Sequence, residues 1–564
     1  MPCYCLIDGE PASASRKLLT GLLREKMGFD GVCVSDYGAI GNVYGTQHVC
    51  ETIEEAGVRC LEAGMDIEMP DPAGYGEGLK KLFENGQADM AVLDRAVIRV
   101  LTAKFRMGLF ENPFALQDEA LRKVFTDEKD QEISLQSAKE SMVLLKNNGA
   151  LPLSRDVKKI ALIGPHADSA RKFFGGYTHM CMMESTYAIA NSIAGVSGSE
   201  NISNREIVTV PGTNIQSDET EEFDAILKLQ KPGCRSLLEE LQIKLPDTEI
   251  VYAYGYPIAG ADESGFEEAL SLVRDADIVI LTLGGKHGTC SMASMGEGVD
   301  ASDINLPKCQ DEFMKKAAGF GKPMVGIHFN GRPISSDAAD EYLDAILEAW
   351  NPSETGAKAV VSVLLGEYNP GGKMPVTTAY HAGQIPIFYN HPYNSSWHQS
   401  GSIGFLNYVD LPHTPRYYFG HGLSYTRFEY SNLILSKKEI SPFGTIRIET
   451  DVENVGDREG DEVVQLYLRD IYASMARPVK ELAGFKRITL KPREKKTVVF
   501  EVKGSQLAFL DADMRWKIEK GTIRVEVGSS SEDIRLTDEY RVADDGWLEG
   551  KDRGFYAGAY IKER

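Results

Sequence analysis

The sequence is centred on one stretch, Gly28-Phe29-Asp30-Gly31-Val32-Cys33-Val34-Ser35-Asp36-Tyr37-Gly38. A glycine-containing turn leads into the apolar run 32–34, which is typical of a short buried strand. Asp36 comes directly after that strand, and catalytic side chains of barrel enzymes project from the carboxyl ends of parallel strands. An aspartate in this position is also a preferred N-cap for a following helix. The residues of the stretch favour the cap, and they leave a catalytic carboxylate as the alternative.

Composition limits the class of protein. The chain has 564 residues, 43% of them hydrophobic, which is enough for two to four domains with their own cores. Its formal net charge of −22 argues against nucleic-acid binding, which needs a basic surface. The nine cysteines are odd in number and end at Cys309, so we expect reduced thiols and no disulfide framework. We find no leader and no long apolar run, which predicts a cytoplasmic protein without a membrane partner.

The first 118 residues alternate between helical and strand patterns, which favours a parallel α/β fold. The predicted helices are 17–27, 53–63 and 90–107, and the predicted strands are 31–35 and 64–70.

A second alternating region follows, with a strongly apolar strand predicted at 277–284. It contains neither G-x-G-x-x-G nor G-x-x-x-x-G-K-[ST], so we predict no nucleotide site and no cofactor. His328 lies in an apolar strand and is interpreted as a packed core residue, and no cluster of histidine, cysteine and aspartate has metal-ligand spacing, so no metal is expected.

The loop 286–303 follows the apolar strand and is rich in glycine, serine and methionine. Loops at strand ends often carry function. Glu297 lies there between Gly296 and Gly298, whose backbones can adopt conformations closed to other residues. The residues alone favour a solvated glutamate and leave a catalytic one as the alternative.

The last third of the chain changes pattern. Residues 386–430 are rich in aromatic side chains, which either pack between domains, the interpretation we favour, or stack on sugar rings. Residues 431 to about 543 show period-2 alternation with regular turns, and Ile523, Val525 and Val527 share one face. This pattern indicates a β-sandwich.

Several motifs together resemble glycoside hydrolase family 3, the family of β-glucosidases and β-xylosidases. The matching stretches are GFDGVCVSDY (28–37), AGMDIEMP (63–70), RVLTAKFRMGLFENP (99–113), MGEGVDASDINLP (295–307), NPGGKMP (369–375) and YYFGHGLSYT (417–426). The resemblance covers nearly the whole chain and implies a multidomain α/β plus β protein.

The resemblance assigns a domain to each part of the chain. The implied order is a partial (β/α)₈ barrel at 1–118, a linker at 119–135, an α/β sandwich domain at 136–385, an aromatic connector at 386–430, a fibronectin-III-like domain at 431–545 and a tail at 546–564.

The resemblance also implies roles for individual residues. Asp36 matches the catalytic nucleophile, Glu297 the general acid/base, and Tyr37 a residue that shapes the sugar site. One departure is Ala301, which stands where the family commonly has an arginine. Asp300 and Asp303 are weaker candidates for the acid, and a capping or solvated role is favoured for both.

A second departure concerns the barrel, because a complete one takes about 250 residues. The resemblance therefore implies that the N-terminal part of the barrel is missing from this chain. The expected function is hydrolysis of small glycosides with release of terminal β-linked glucose or xylose. The alternatives are an inactive or merely carbohydrate-binding fragment, and a phosphorylase or N-acetylhexosaminidase of the same family. The expected partners are a small carbohydrate substrate and, as one way to complete the barrel, a second copy of the chain.

Overall fold

The computed structural model describes residues 1–125, 127–184, 208–217, 221–399 and 404–563. These residues form two compact units, one made of residues up to 127 and the other of the described residues from 128 onwards. In the described parts of the chain, no helix has the length and hydropathy that a membrane crossing requires.

The first unit contains short strands and five α-helices, together with a π-type helix at Lys17–Lys26. The strands are β1 (Leu6–Ile7), β2 (Glu10–Pro11), β3 (Val34–Tyr37) and β4 (Ile67–Met69), and the helices are α1 (Ala39–Gly45), α2 (Ile53–Ala63), α3 (Glu77–Glu84), α4 (Met90–Arg106) and α5 (Asp118–Phe125).

Strands β3 and β4 pair in parallel, with Val34 opposite Ile67 and Tyr37 opposite Met69. Helices α1 and α2 connect them, so this part of the unit is a β-α-β arrangement of the kind that builds a barrel. The predicted parallel α/β fold is confirmed. Strand β3 begins later than predicted, because the Cys33 N–H donates to the side chain of Asp66 at 2.8 Å and not to a strand neighbour.

Asp66 is the buried polar centre of this unit, with 1% of its side chain exposed. Its carboxylate accepts from Arg24 Nη2 at 2.8 Å and from Arg99 Nη1 at 2.9 Å, in addition to the Cys33 N–H. A buried carboxylate with three donors ties the helix 17–26, the start of β3 and helix α4 together. A buried charge with one partner removed destabilises a fold far more than an exposed pair does.

We therefore expect Asp66→Ala to destabilise the first unit by about 3 kcal/mol. This loss of unfolding free energy is at the lower end of the range for a broken buried ion pair, because Arg24 also donates to the carbonyls of Gly31 and Gly64. The measurement is the rate of proteolytic clipping within residues 1–127 under native conditions, which follows the open population. Asp71→Ala, at an exposed aspartate of the same unit, is the control. Equal clipping of the two variants would contradict the structural role of Asp66.

The second unit begins with an α/β domain built around a six-stranded sheet. Its strands are β5 (Val143–Asn147), β6 (Lys159–Ile163), β7 (Glu249–Ala253), β8 (Ile278–Gly284), β9 (Met324–Phe329) and β10 (Ala345–Trp350), and its helices are α6 (Glu128–Ser141), α7 (His179–Glu184), α8 (Glu221–Gln230), α9 (Leu237–Lys244), α10 (Phe266–Asp275), α11 (Lys308–Ala318), α12 (Asp337–Tyr342) and α13 (Gly356–Leu364).

The sheet has the order β5-β10-β9-β8-β6-β7, and all pairs are parallel except β10 with β5. Helices α9 and α13 cover one face, and α10, α11 and α12 cover the other. Because both faces are covered, the central strands are apolar along their whole length, as the sequence predicts for 277–284. His328 is 2% exposed within β9, which confirms the prediction of a packed histidine.

The chain order of these strands creates a crevice. Strand β6 leads to β7 on one side, and the next strand, β8, lies on the other side of β6. Ligands of open α/β sheets bind at such a reversal, outside the carboxyl ends of the two strands. The loop that carries Glu297 leaves the sheet at this point, from the end of β8.

A β-sandwich completes the second unit. Its strands are β11 (Phe428–Leu435), β12 (Glu439–Ile440), β13 (Thr445–Asn454), β14 (Gly460–Asp470), β15 (Glu481–Leu490), β16 (Lys495–Lys503), β17 (Phe509–Leu510), β18 (Trp516–Ile518), β19 (Gly521–Gly528), β20 (Ile534–Val542), β21 (Gly546–Leu548) and β22 (Gly558–Ile561). Two main sheets, β11-β13-β16-β22 and β12-β20-β19-β14-β15, enclose the core. Ile523, Val525 and Val527 are each at most 1% exposed, as their shared face predicts.

The predicted tail and the predicted linker both contain regular secondary structure. The segment 546–564, predicted as a tail, contributes β21 and β22, and β22 pairs antiparallel with β16. The sequence gives little strand pattern here, because the charged run 549–553 separates two short strands. The predicted linker 119–135 contains most of helix α5 and the first turns of helix α6.

The aromatic connector packs against the sandwich in its described part. Tyr389 stacks on Phe419 with ring centroids 4.4 Å apart, and its hydroxyl accepts from the Leu482 N–H at 3.1 Å. These contacts support the packing role that the sequence favours for this segment.

Candidate active site

Asp36 lies at the third of the four positions of β3. Its neighbour Ser35 is fully buried and accepts the Met69 N–H at 2.9 Å, which fixes the register of β3 against β4. Since side chains alternate along a strand, Asp36 points to the face opposite Ser35. The strand ends at Tyr37, and Gly38, with a φ of +67°, turns the chain into α1. Asp36 is therefore a strand-end carboxylate and not the cap of α1.

The immediate surroundings of Asp36 are polar and open. Its Oδ1 accepts the N–H of Tyr37 at 2.8 Å, and its side chain is partly exposed. Tyr37 is 37% exposed, and its carbonyl accepts the hydroxyl of Tyr4 at 2.8 Å. The Asp36 carboxylate is therefore accessible to a ligand, with an exposed aromatic ring beside it.

Glu68 on β4 organises the loop that follows this strand. Its two oxygens accept the N–H groups of Gly74 at 3.0 Å and Tyr75 at 2.7 Å. Burial raises the pKa of this carboxyl above its ordinary value, although the two N–H donors oppose the shift. Both oxygens are thus engaged by the loop 74–75, which makes Glu68 a structural residue.

Glu297 lies at the tip of a tight turn in the loop between β8 and α11. Gly296 has a φ of +134°, and a Cβ on it would lie 1.9 Å from the carbonyl oxygen of Gly288, so no other residue fits there. Gly298 has a φ of +70°, and Gly296 bridges to Val299 across the turn. The turn presents the Glu297 side chain to solvent. The glycines on either side of Glu297 therefore have a definite geometric role.

The carboxyl of Glu297 accepts a hydrogen bond from a side chain of another segment. The hydroxyl of Tyr177 donates to Oε2 at 2.5 Å. No sequence motif points to Tyr177, because its partner lies 120 positions further along the chain.

The base of the same loop is anchored by a buried ion cluster. Lys286 is fully buried and pairs with Glu184, which also accepts from Arg171 at 2.5 Å. Buried charges persist only when they are paired and hydrogen-bonded. This cluster attaches the beginning of the loop to helix α7.

His287 follows Lys286 and contacts the Tyr177 segment. Its Nδ1 accepts the Gly176 N–H at 2.6 Å. Burial, and to a lesser extent the neighbouring Lys286 charge, lowers the pKa of the His287 imidazole, which therefore stays neutral at neutral pH. The neutral ring keeps Nδ1 available as an acceptor.

The two other carboxylates of the loop have different surroundings. Asp303 Oδ1 accepts the N–H of Asn305 at 3.0 Å and its Nδ2 at 2.7 Å, so it closes a local turn. Asp300 is exposed. Among the described residues, no group of histidine, cysteine, aspartate and glutamate has the geometry of a metal site.

Sequence profiles of three domains match the chain. The Glycosyl hydrolase family 3 N terminal domain matches residues 1–103, the Glycosyl hydrolase family 3 C-terminal domain matches residues 142–425, and the Fibronectin type III-like domain matches residues 462–531. The chain belongs to glycosyl hydrolase family 3.

Relatives of known name support this assignment. A β-xylosidase of Formosa agariphila is 33% identical over 540 residues, which cover 94% of this chain and 67% of the relative. A periplasmic β-glucosidase of Salmonella typhimurium is 34% identical over 540 residues, covering 94% of this chain and 66% of the relative. The crystal structure of a β-glucosidase from Listeria innocua matches with a TM-score of 0.79 and 30% identity, covering 96% of this chain and 67% of that one. The chain thus spans about two thirds of the length of these relatives.

Proposed function

We propose that this protein is a glycoside hydrolase that releases terminal β-linked glucose or xylose from small glycosides with retention of configuration. The position of Asp36 at the carboxyl end of β3 carries the proposal, because it sets a partly exposed carboxylate where barrel enzymes hold their catalytic groups. Membership of glycosyl hydrolase family 3, with relatives named β-glucosidase and β-xylosidase, supports it.

The proposed reaction uses two carboxyl groups in sequence. Retaining glycosidases hold such a pair about 5–5.5 Å apart across the scissile bond. Asp36, ionised, attacks the anomeric carbon and forms an ester to the sugar, while Glu297, protonated, gives its proton to the departing oxygen. Glu297, now ionised, takes a proton from water, and the resulting hydroxyl displaces Asp36 from the anomeric carbon. The products are the free β-sugar and the alcohol, and both carboxyls return to their starting states.

Tyr37 is proposed to shape the sugar site beside the nucleophile. Its exposed ring offers an apolar face to the C–H surface of a sugar, and its backbone N–H orients the Asp36 carboxylate. No cofactor enters this reaction, because every proton and bond is supplied by the two carboxyls, the substrate and water.

Hydrolysis of aryl β-glucoside and aryl β-xyloside by the purified chain tests the proposal, with the first-formed sugar followed by proton NMR. We expect the β-anomer to appear first, before mutarotation, and expect the activity to be absent from Asp36→Ala. First release of the α-anomer would contradict the retaining mechanism. A chain without hydrolysis of either substrate would contradict the proposed activity and favour a carbohydrate-binding or inactive protein.

A further inference from the structure

We propose that Tyr177 is the positioning residue of the acid/base carboxyl, and that it fixes which oxygen of Glu297 transfers the proton. The proposal deepens the proposed function and rests on the acid/base role of Glu297. Tyr177 lies 120 positions before Glu297 in the sequence.

The contact itself selects one oxygen. The Tyr177 hydroxyl donates to Oε2 of Glu297 at 2.5 Å. When Glu297 is protonated, a proton on Oε1 leaves Oε2 as a carbonyl-type acceptor for the tyrosine. When Glu297 is ionised, Oε2 accepts the same hydrogen bond with greater strength. One contact thus serves both protonation states and leaves Oε1 for the leaving-group oxygen and for water.

The backbone of Tyr177 indicates that its position is imposed by its surroundings. Its φ is +62°, in the left-handed region that bulky residues seldom adopt. Such strain persists only where neighbouring contacts determine it, and it is frequent at functional sites. The preceding residue is held by such a contact, because the Gly176 N–H donates to His287 Nδ1 at 2.6 Å.

His287 is itself confined by glycines on two sides. A Cβ on Gly176 would lie 3.0 Å from the ring carbon Cε1, and a Cβ on Gly331 would lie 2.2 Å from Cδ2. The imidazole therefore fills a space that only glycine backbones leave open. The confined His287 ring in turn fixes the position of Gly176, and so of the segment that carries Tyr177.

The other end of the hydrogen bond depends on the same short segment. Gly296, which precedes Glu297, packs against the carbonyl of Gly288, and Met295 bridges to His287. Tyr177 and Glu297 are therefore both placed by residues 287–288. A hydroxyl and a carboxyl held by one common support keep their mutual geometry while the loop tip stays exposed.

The test compares two leaving groups of the same sugar. Kinetics of 2,4-dinitrophenyl and phenyl β-glycosides are measured as kcat/KM, which reports the glycosylation step, for the parent, Tyr177→Phe, Tyr472→Phe and Glu297→Gln. Dinitrophenolate departs without protonation, whereas phenolate is a poorer leaving group and needs a proton from the acid. Tyr472 is an exposed tyrosine of the sandwich and serves as the matched control, at 86% exposure.

We expect Tyr177→Phe to lower kcat/KM about 10-fold for the phenyl glycoside, the effect of losing one hydrogen bond to a charged group. The dinitrophenyl glycoside should change less than about 2-fold, since its barrier does not include protonation. Tyr177→Asn, which tolerates the left-handed backbone, should show the same selective loss. In a Glu297→Gln background, Tyr177→Phe should have no further effect, because the two act through one group.

Each remaining outcome is decisive. Equal losses for both leaving groups, or no loss with either Tyr177 variant while Glu297→Gln is impaired, would overturn the positioning role and leave the proposed function intact. A parent without activity, or a Glu297→Gln variant with full activity, would overturn the acid/base assignment and the role of Tyr177 with it.

Discussion

We expect Asp36→Asn to lower kcat/KM for an aryl β-glycoside by about 10⁴-fold or more, as removal of a catalytic nucleophile does in other enzymes. Asparagine keeps the size of the side chain and can still accept the Tyr37 N–H, so the strand end is preserved. It cannot form the ester on which the two-step reaction depends. Steady-state kinetics beside Asp71→Asn, at an exposed aspartate of the same unit, measure the effect. A loss of less than about 10-fold would remove Asp36 from the nucleophile role.

A small anion distinguishes a missing nucleophile from a damaged fold. In Asp36→Ala, azide can occupy the space of the carboxylate and displace the leaving group in a single step. That step inverts the anomeric carbon, so the product is the α-glycosyl azide. Restored turnover with this product would assign the lost function to the Asp36 carboxylate. Formation of the β-glycosyl azide by this variant would contradict the assignment.

The second large effect is expected at Glu297. Glu297→Gln should lower kcat/KM by about 10²- to 10⁴-fold for a phenyl glycoside, the range of general acid catalysis. The same variant should release dinitrophenolate and form the glycosyl ester at nearly the parent rate, because that leaving group needs no proton. Asp300→Asn, on the same loop, is the control. Equal losses for the two leaving groups would argue that Glu297 has a role other than proton transfer.

Azide also identifies the loss of the acid/base, and here the expected product is the β-glycosyl azide, the opposite anomer to that expected from Asp36→Ala. In Glu297→Ala the glycosyl ester still forms, but water attacks it slowly without a base. Azide needs no base, attacks the ester on the opposite face and yields the β-glycosyl azide after two inversions. The two alanine variants should therefore give products of opposite configuration. Products of the same configuration would contradict the separate roles of Asp36 and Glu297.

Much of the fold could be predicted from the sequence, because the decisive signals are local. The covered central strands are apolar throughout, and the shared face of Ile523, Val525 and Val527 identifies the sandwich. Helix α2 has the predicted bounds, because Thr52 caps one end and Gly64, with a φ of +115°, ends the other. These features depend on residues a few positions apart, which is the range that a sequence pattern covers.

The features that sequence reasoning missed depend on distant partners. Strand β3 begins late because Asp66 captures the Cys33 N–H, and no local pattern shows that bond. Strand β22 is stabilised by pairing with β16, so its own residues carry little strand signal. The contact of Tyr177 with Glu297 joins two loops across the α/β domain. The predicted cytoplasmic location and the predicted self-association remain predictions.

Trapping the sugar on the protein tests the nucleophile role of Asp36 directly. A 2-deoxy-2-fluoro-β-glycosyl fluoride is used, because its ring fluorine slows both steps while its good leaving group still lets the ester form. The intact chain is incubated with the compound, digested, and sequenced by tandem mass spectrometry. We expect one fluoroglycosyl group, attached to Asp36 in the peptide that contains residues 28–38. An adduct on another carboxylate, or no adduct on the intact chain, would contradict the role of Asp36 as the nucleophile.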